Sequence, residues 1–160
     1  MRYEGLVYRP PSEAGSLIIQ ATLACPHNKC AFCGMYKGRT FRVRPLDEVI
    51  EDLDIALDAY GPHGVRTIFL ADGNTAVLPA AKLRAIGEAA RARFPDLERI
   101  TMYGSAKFLV KKSLEQWRAV APRRHCWYRP VPRHLRRYFL PPCRRHGWRH
   151  PRLSCSSRSC

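Results

Sequence analysis

The sequence predicts an α/β fold, the βαβαβα start of a parallel sheet or barrel, followed by a tail without regular structure. Three observations carry that prediction. Three short apolar runs read as strands buried on both faces, two amphipathic stripes between them read as helices, and the second and third runs begin at residues 66 and 99. That separation is one βαβ crossover, which is right-handed by default. All of this lies in the first 120 of 160 residues.

Residues 1–14 read as a lead-in. Glu4, Arg9, Pro10 and Pro11 interrupt the apolar core that a signal peptide would need. The first strand is expected over Ser16–Thr22 and the second over Arg66–Ala71, both β-branched and of ordinary strand length. Between them, Leu46, Val49, Ile50, Leu53, Leu57 and Tyr60 recur at helical spacing. Pro45 is expected in the first turn, Asp47 and Glu48 sit at the positive end of the helix dipole, and Gly61-Pro62 stops the helix. A second stripe, Leu83, Ile86, Ala90 and Phe94, opens at Pro79 and ends before Pro95. The third strand is expected over Arg99–Gly104, and a third helix is expected to start at Ser113 with Glu115 in its first turn. The partial core thus spans residues 15–120, with a tail over 121–160.

The 28 Lys and Arg against 13 Asp and Glu give a net charge of +15, which would point to a polyanionic partner such as nucleic acid if it were spread evenly. It is not. Residues 1–120 hold 17 bases and 13 acids, a net of +4, whereas residues 121–160 hold 11 arginines and no acid. Hydrophobic residues at 46% exclude a wholly disordered or collagen-like chain. No apolar run reaches the roughly 18 residues of a membrane helix. The expectation is therefore a cytoplasmic protein without a membrane partner, whose clustered thiols stay reduced and read as metal ligands or reactive groups before disulfides.

Function in parallel α/β sheets gathers in the loops after the strand C-termini. Directly after the first strand comes Cys25-Pro-His-Asn-Lys-Cys30-Ala-Phe-Cys33-Gly-Met-Tyr36, a C-x4-C-x2-C text whose Pro26, Asn28 and Gly34 favour tight turns. Three thiolates at such spacing can converge on one soft metal. A closed zinc site wants a fourth ligand, for which His27 is within reach, whereas three thiolates on a cubane iron-sulfur cluster leave one iron open. Cysteines buried for packing alone are the third alternative.

With Phe32 just before its last cysteine, this loop resembles the radical S-adenosylmethionine (radical SAM) superfamily over about residues 15–118. Four residues separate Cys25 from Cys30, where the commonest spacing in the superfamily has three. The string Cys25–Lys37 followed by Phe41–Pro45 resembles one branch of it. The resemblance implies part of a (β/α) barrel and a 4Fe-4S cluster on Cys25, Cys30 and Cys33. S-adenosylmethionine would chelate the open iron. An electron from a donor such as a flavodoxin or ferredoxin would cleave it to a 5′-deoxyadenosyl radical, which abstracts hydrogen from a substrate that the residues do not name.

Phe32 would lie near the adenine, with a loop anchor in the core as the equal alternative. In the loop Ala71-Asp-Gly-Asn-Thr75, Gly73 would let the backbone approach the cofactor's methionine part, and Asp72 or Asn74 would accept a hydrogen bond from its ammonium group. The superfamily's usual form has two glycines followed by Glu, whereas here the acid precedes a single glycine. A plain Asp-Gly turn competes with the binding reading. Ser105, after the third strand, is a further candidate for the same pocket.

Lys29, Lys37, Arg39, Arg42 and Arg44 form a basic stretch around the loop, expected to be solvated, with attraction for an anionic substrate as the minority reading. The tail admits three readings. It could be a nucleic-acid arm of arginines with stacking Trp127, Tyr128, Tyr138 and Trp148, or a zinc cluster on Cys126, His134, Cys143 and His146. Its Arg/Pro/His/Cys/Ser/Trp vocabulary, with no acid and no lysine, favours the third, a reading frame lost near residue 119. The resemblance implies further βα units beyond the third strand, so the expectation is a fragment of impaired activity. A small metal-containing nucleic-acid-binding protein is the alternative.

Overall fold

The computed structural model describes residues 1–121, so the tail readings fall outside the described residues. Three parallel strands form the sheet. They are β1 (Leu17–Gln20), β4 (Thr67–Ala71) and β5 (Arg99–Met102), in the spatial order β1-β4-β5. Leu17 stands opposite Ile68 and Gln20 opposite Ala71, while Thr67 stands opposite Arg99 and Leu70 opposite Met102. Because successive side chains point to opposite faces, Ile19, Ile68, Leu70 and Ile100 enter the main core. Phe69 points the other way and meets Tyr103 edge-on at 5.1 Å.

Two helices cover the core face, α1 (Leu46–Tyr60) and α2 (Ala80–Arg93). The predicted stripes become the buried residues Val49 and Leu53 on α1 and Leu83, Ile86 and Ala90 on α2, with Phe94 closing the layer. Full burial of each large apolar side chain contributes about 1.5–3 kcal/mol. Gly61 ends α1 at φ +71, donating its N–H to the Leu57 carbonyl. Tyr60, expected at the end of the stripe, is exposed in the last turn of α1.

Four details differ from the sequence expectation. Pro45 occupies the N-cap position, one residue before the first turn, whereas Pro79 caps α2 where that helix was expected to open. The run Ser16–Thr22 is not one strand: after Gln20 the chain leaves the sheet, and β2 (Thr22–Leu23) pairs antiparallel with β3 (Arg42–Val43). A one-turn helix, α3 (Ala106–Leu109), precedes the expected one, α4 (Leu114–Val120). Arg44, read as solvated, is 1% exposed. Its Nη1 donates to Asp52 Oδ2 at 2.6 Å and to the Gln20 carbonyl at 2.9 Å, while Nε meets Glu48 at 3.1 Å. The guanidinium thus ties the strand end, the hairpin and α1 together.

Ser113 caps α4 with a reciprocal capping box: its Oγ accepts from the Gln116 N–H at 3.2 Å, and its own N–H donates to Gln116 Oε1 at 2.9 Å. Ser113→Ala is expected to cost about 1 kcal/mol in urea unfolding, and Ser113→Asp, which retains a capping oxygen, much less. No helix among the described residues is long and apolar enough to cross a membrane.

Candidate functional site

The loop between β2 and β3, residues 24–41, leaves the C-terminal edge of the sheet beside the loop that follows β4. The three non-glycine residues with positive φ among the described residues all lie in these two loops: Ala24 at +60, Asn28 at +42 and Asp72 at +76. Left-handed backbone is costly for residues with a Cβ and persists where neighbours hold it in place.

The neighbours are identifiable. Asp72, 3% exposed, accepts the Ala24 N–H on Oδ2 at 2.9 Å and the Gln20 Nε2–H on the same oxygen at 3.4 Å. The Gly73 N–H donates in turn to the Ala24 carbonyl at 3.1 Å. Gly73 is required by close approach: a Cβ there would stand 2.5 Å from Cys25 Cβ and 3.0 Å from both Cys25 Cα and Tyr36 Cε2. Asn74 reaches the next loop, with Nδ2 donating to Ser105 Oγ at 2.8 Å and Oδ1 accepting the Ser105 N–H at 3.3 Å. Thr75 donates to the Ala71 carbonyl at 2.9 Å and lies 3.4 Å from the Thr22 hydroxyl. The edges of β1, β4 and β5 are therefore linked by one polar network.

Within the cysteine loop, Asn28 Nδ2 donates to the Tyr36 carbonyl at 2.7 Å, and the Cys33 N–H donates to the Cys30 carbonyl at 3.3 Å. Tyr36 anchors this loop: it is 3% exposed and packs edge-on against Tyr8 of the lead-in at 5.7 Å. Phe32 does not anchor it, since its ring is 93% exposed, and the core-anchor reading of Phe32 is corrected. Sequence reasoning gave Tyr36 no role because it follows Gly34 in text without periodicity; its aromatic character three residues past Cys33 was the available signal.

Two buried polar atoms here have no hydrogen-bond partner among the described residues, Tyr36 Oη and Asp72 Oδ1. Burial pushes the Tyr36 phenol well above its ordinary value, and the charge of Asp72 adds to that, followed by Tyr103 and the two thiols Cys25 and Cys33. Burial also raises the Asp72 carboxyl, against the opposing hydrogen bonds of Ala24 and Gln20 and the charge of Arg39. Unpaired buried polar atoms are rare, and paired with backbone strain they mark a candidate site.

Cys25, Cys30 and Cys33 are free thiols of intermediate exposure. The structure puts them on one loop but does not gather them: among the described residues no three Cys, His, Asp or Glu side chains form a group able to hold a metal ion. His27, the possible fourth zinc ligand, lies with Nδ1 3.4 Å from Lys107 Nζ. By donor type, three soft thiols on a solvent-reachable loop fit iron or zinc, and coordination would have to draw the loop together. Lys29, Lys37, Arg39 and Arg42 are exposed around it, with Arg42 paired to Glu4 at 2.6 Å. A separate cavity of about 490 Å³ lies at the other end of the sheet, lined by Tyr3, Arg9, Ser16, Arg66 and Thr67 among others.

No family model, curated protein or solved structure matches this chain. What this region is rests on its own chemistry.

Proposed function

We propose that the chain is a radical S-adenosylmethionine protein whose Cys25, Cys30 and Cys33 hold a 4Fe-4S cluster. One observation carries this reading: a C-x4-C-x2-C loop at the C-terminal edge of a parallel sheet, bonded through Ala24 to the Asp72-Gly73 loop. When bound, the cluster and S-adenosylmethionine supply one-electron cleavage of a carbon-sulfur bond, yielding a radical that abstracts substrate hydrogen. This chain's residues supply the rest. The three cysteines ligate iron as thiolates. Asp72 Oδ1, partnerless among the described residues, would accept a hydrogen bond from the cofactor's ammonium group, while the space that Gly73 leaves is taken by Cys25 and Tyr36. Asn74 holds the Ser105 loop in place, a supporting role in keeping with its two bonds to Ser105. Phe32, 93% exposed, would be the residue available to the adenine if the loop draws together around a metal.

The exposed lysines around the loop suit an acidic electron donor such as a flavodoxin or ferredoxin. Free thiols suit a reducing compartment, in keeping with a cytoplasmic location. The test is anaerobic reconstitution of the full chain with iron and sulfide. The expected result is about four iron atoms per chain and a broad visible absorbance bleached by dithionite, both lost in Cys30→Ala. Stoichiometric zinc without iron uptake would overturn the proposal. Combined with steeply salt-dependent nucleic-acid binding, that outcome would favour a zinc-containing nucleic-acid binder.

A further inference from the structure

Asp72 has two carboxylate oxygens in different situations. Oδ1 has no partner among the described residues, whereas Oδ2 accepts the Ala24 N–H at 2.9 Å across 48 residues of sequence. The next residue, Gly73, donates its N–H to the Ala24 carbonyl at 3.1 Å. Ala24 is therefore gripped at both of its backbone polar groups by two consecutive residues of the β4 loop. It is also a residue with a Cβ held at φ +60, a conformation that needs such support. The residue that follows it is Cys25, whose Cβ lies 2.5 Å from where a Gly73 Cβ would be.

We infer that Asp72 is a positioning residue for Cys25: its Oδ2, with the Gly73 N–H, locks Ala24 in the left-handed conformation that sets where the first thiol of the loop points. The β4 loop thus acts on the metal loop through the backbone, a role separate from any contact that Oδ1 makes. The inference rests on the reading of Cys25 as a ligand, but its thiol measurement does not. Gln20 Nε2, at 3.4 Å from the same oxygen, steadies the carboxylate, and Gln20 Oε1 accepts the Glu4 N–H at 2.9 Å, so the lead-in contributes to the clamp.

A hydrogen-bond acceptor is what this role requires, and a negative charge is not. Asp72→Asn retains an acceptor oxygen for Ala24 and places its amide nitrogen where Oδ1 has no partner. Asp72→Leu retains the branched shape, with somewhat larger bulk, and removes the acceptor. Both full-length variants are alkylated with iodoacetamide after reduction, with each cysteine followed by peptide mass mapping, and both are reconstituted with iron and sulfide.

The expected result for Asp72→Leu is about a fivefold faster alkylation of Cys25, the factor that loss of one buried hydrogen bond corresponds to, with Cys30 and Cys33 unchanged. Its iron content falls several-fold, and Asp72→Asn matches the parent in both readouts. If Asp72→Asn behaves as Asp72→Leu does, or if Asp72→Leu leaves Cys25 at the parent rate, the inference is overturned. Should Asp72→Leu fail to fold by circular dichroism, Asp72→Ser, whose shorter hydroxyl does not reach Ala24, takes its place beside Asp72→Asn. If the parent chain takes up no iron, the cluster reading falls, while the Cys25 alkylation rates still decide the clamp.

Discussion

Arg44→Met is expected to destabilise the chain by about 3–5 kcal/mol, because removing one member of a buried ion pair leaves Asp52 only the half-exposed Arg2, 3.6 Å away, as counter-charge. The side chains of Arg44 and Asp52 are each 2% exposed and 2.6 Å apart, and methionine retains the stem volume while removing the charge and the donor to the Gln20 carbonyl. A domain of this size has about 5–15 kcal/mol in total, so the loss is a large share of it. The double variant Arg44→Met/Asp52→Leu, which removes both charges, is expected to recover most of it. Urea unfolding of the three proteins tests this. A double variant as unstable as the single one would show that the pair is incidental and that volume decides.

The same pair sets an acid limb. Burial pushes the Asp52 carboxyl up, but the Arg44 hydrogen bond, the Arg2 N–H and the charges of both arginines outweigh it, leaving the folded carboxyl below its ordinary value of 3.8. A depressed folded value means stability that is present above the unfolded pKa and lost as pH falls through the folded one. The gap between the parent chain and Arg44→Met is therefore expected to be full at neutral pH and to narrow below about pH 4 as Asp52 protonates in both. A gap that stays constant across that range would contradict the assignment.

Gly73→Ala is the second large effect. The added methyl would meet Cys25 Cβ at 2.5 Å and Tyr36 Cε2 at 3.0 Å, with the backbone of Cys25 behind them, so little can yield cheaply. Overpacking of this kind costs about 1–3 kcal/mol. The displaced Cys25 is expected to lower iron uptake well beyond what the stability loss explains. Gly34→Ala is the matched control: it adjoins Cys33 on the same loop, yet a Cβ there has nothing within 4 Å. Near-parent iron content in Gly34→Ala beside severe loss in Gly73→Ala is the expected contrast in reconstitution. Equal behaviour of the two would show that crowding at Cys25 does not matter.

The elements with strong local patterns were legible before the structure. Leu46–Tyr60 and Ala80–Arg93 follow the predicted stripes, and the strands at 67–71 and 99–102 fall inside the predicted runs. Periodicity works there because each helix or strand turns one fixed face to the core. It failed at Ser16–Thr22, where the run carries no turn residue to mark the bend after Gln20, and at Arg42–Val43, two residues too short to carry any period. Arg44 looked like its exposed neighbours because a charge in sequence does not disclose a buried counter-charge eight residues later in another element.

At the candidate site the division is similar. The thiol spacing and the small residue at Gly73 were visible in the text, but the close approach found there is to Cys25 and Tyr36 of the chain itself, not the approach to a cofactor for which the glycine was expected. The roles of Phe32 and Tyr36 were not visible, since both are aromatics in an aperiodic loop and only packing against Tyr8 and the β4 loop separates the exposed ring from the buried one. The sequence by itself determined the α/β class, its two long helices and the placement of three thiols after the first strand, because those depend on residues close together in the chain. Only the tertiary structure decided that Asp72 grips Ala24 and that Arg44 is buried against Asp52. The first depends on parallel β1 and β4 lying side by side, which brings together residues 48 apart in the chain, and the second on α1 packing beside the end of β1, where Arg44 also bonds the Gln20 carbonyl.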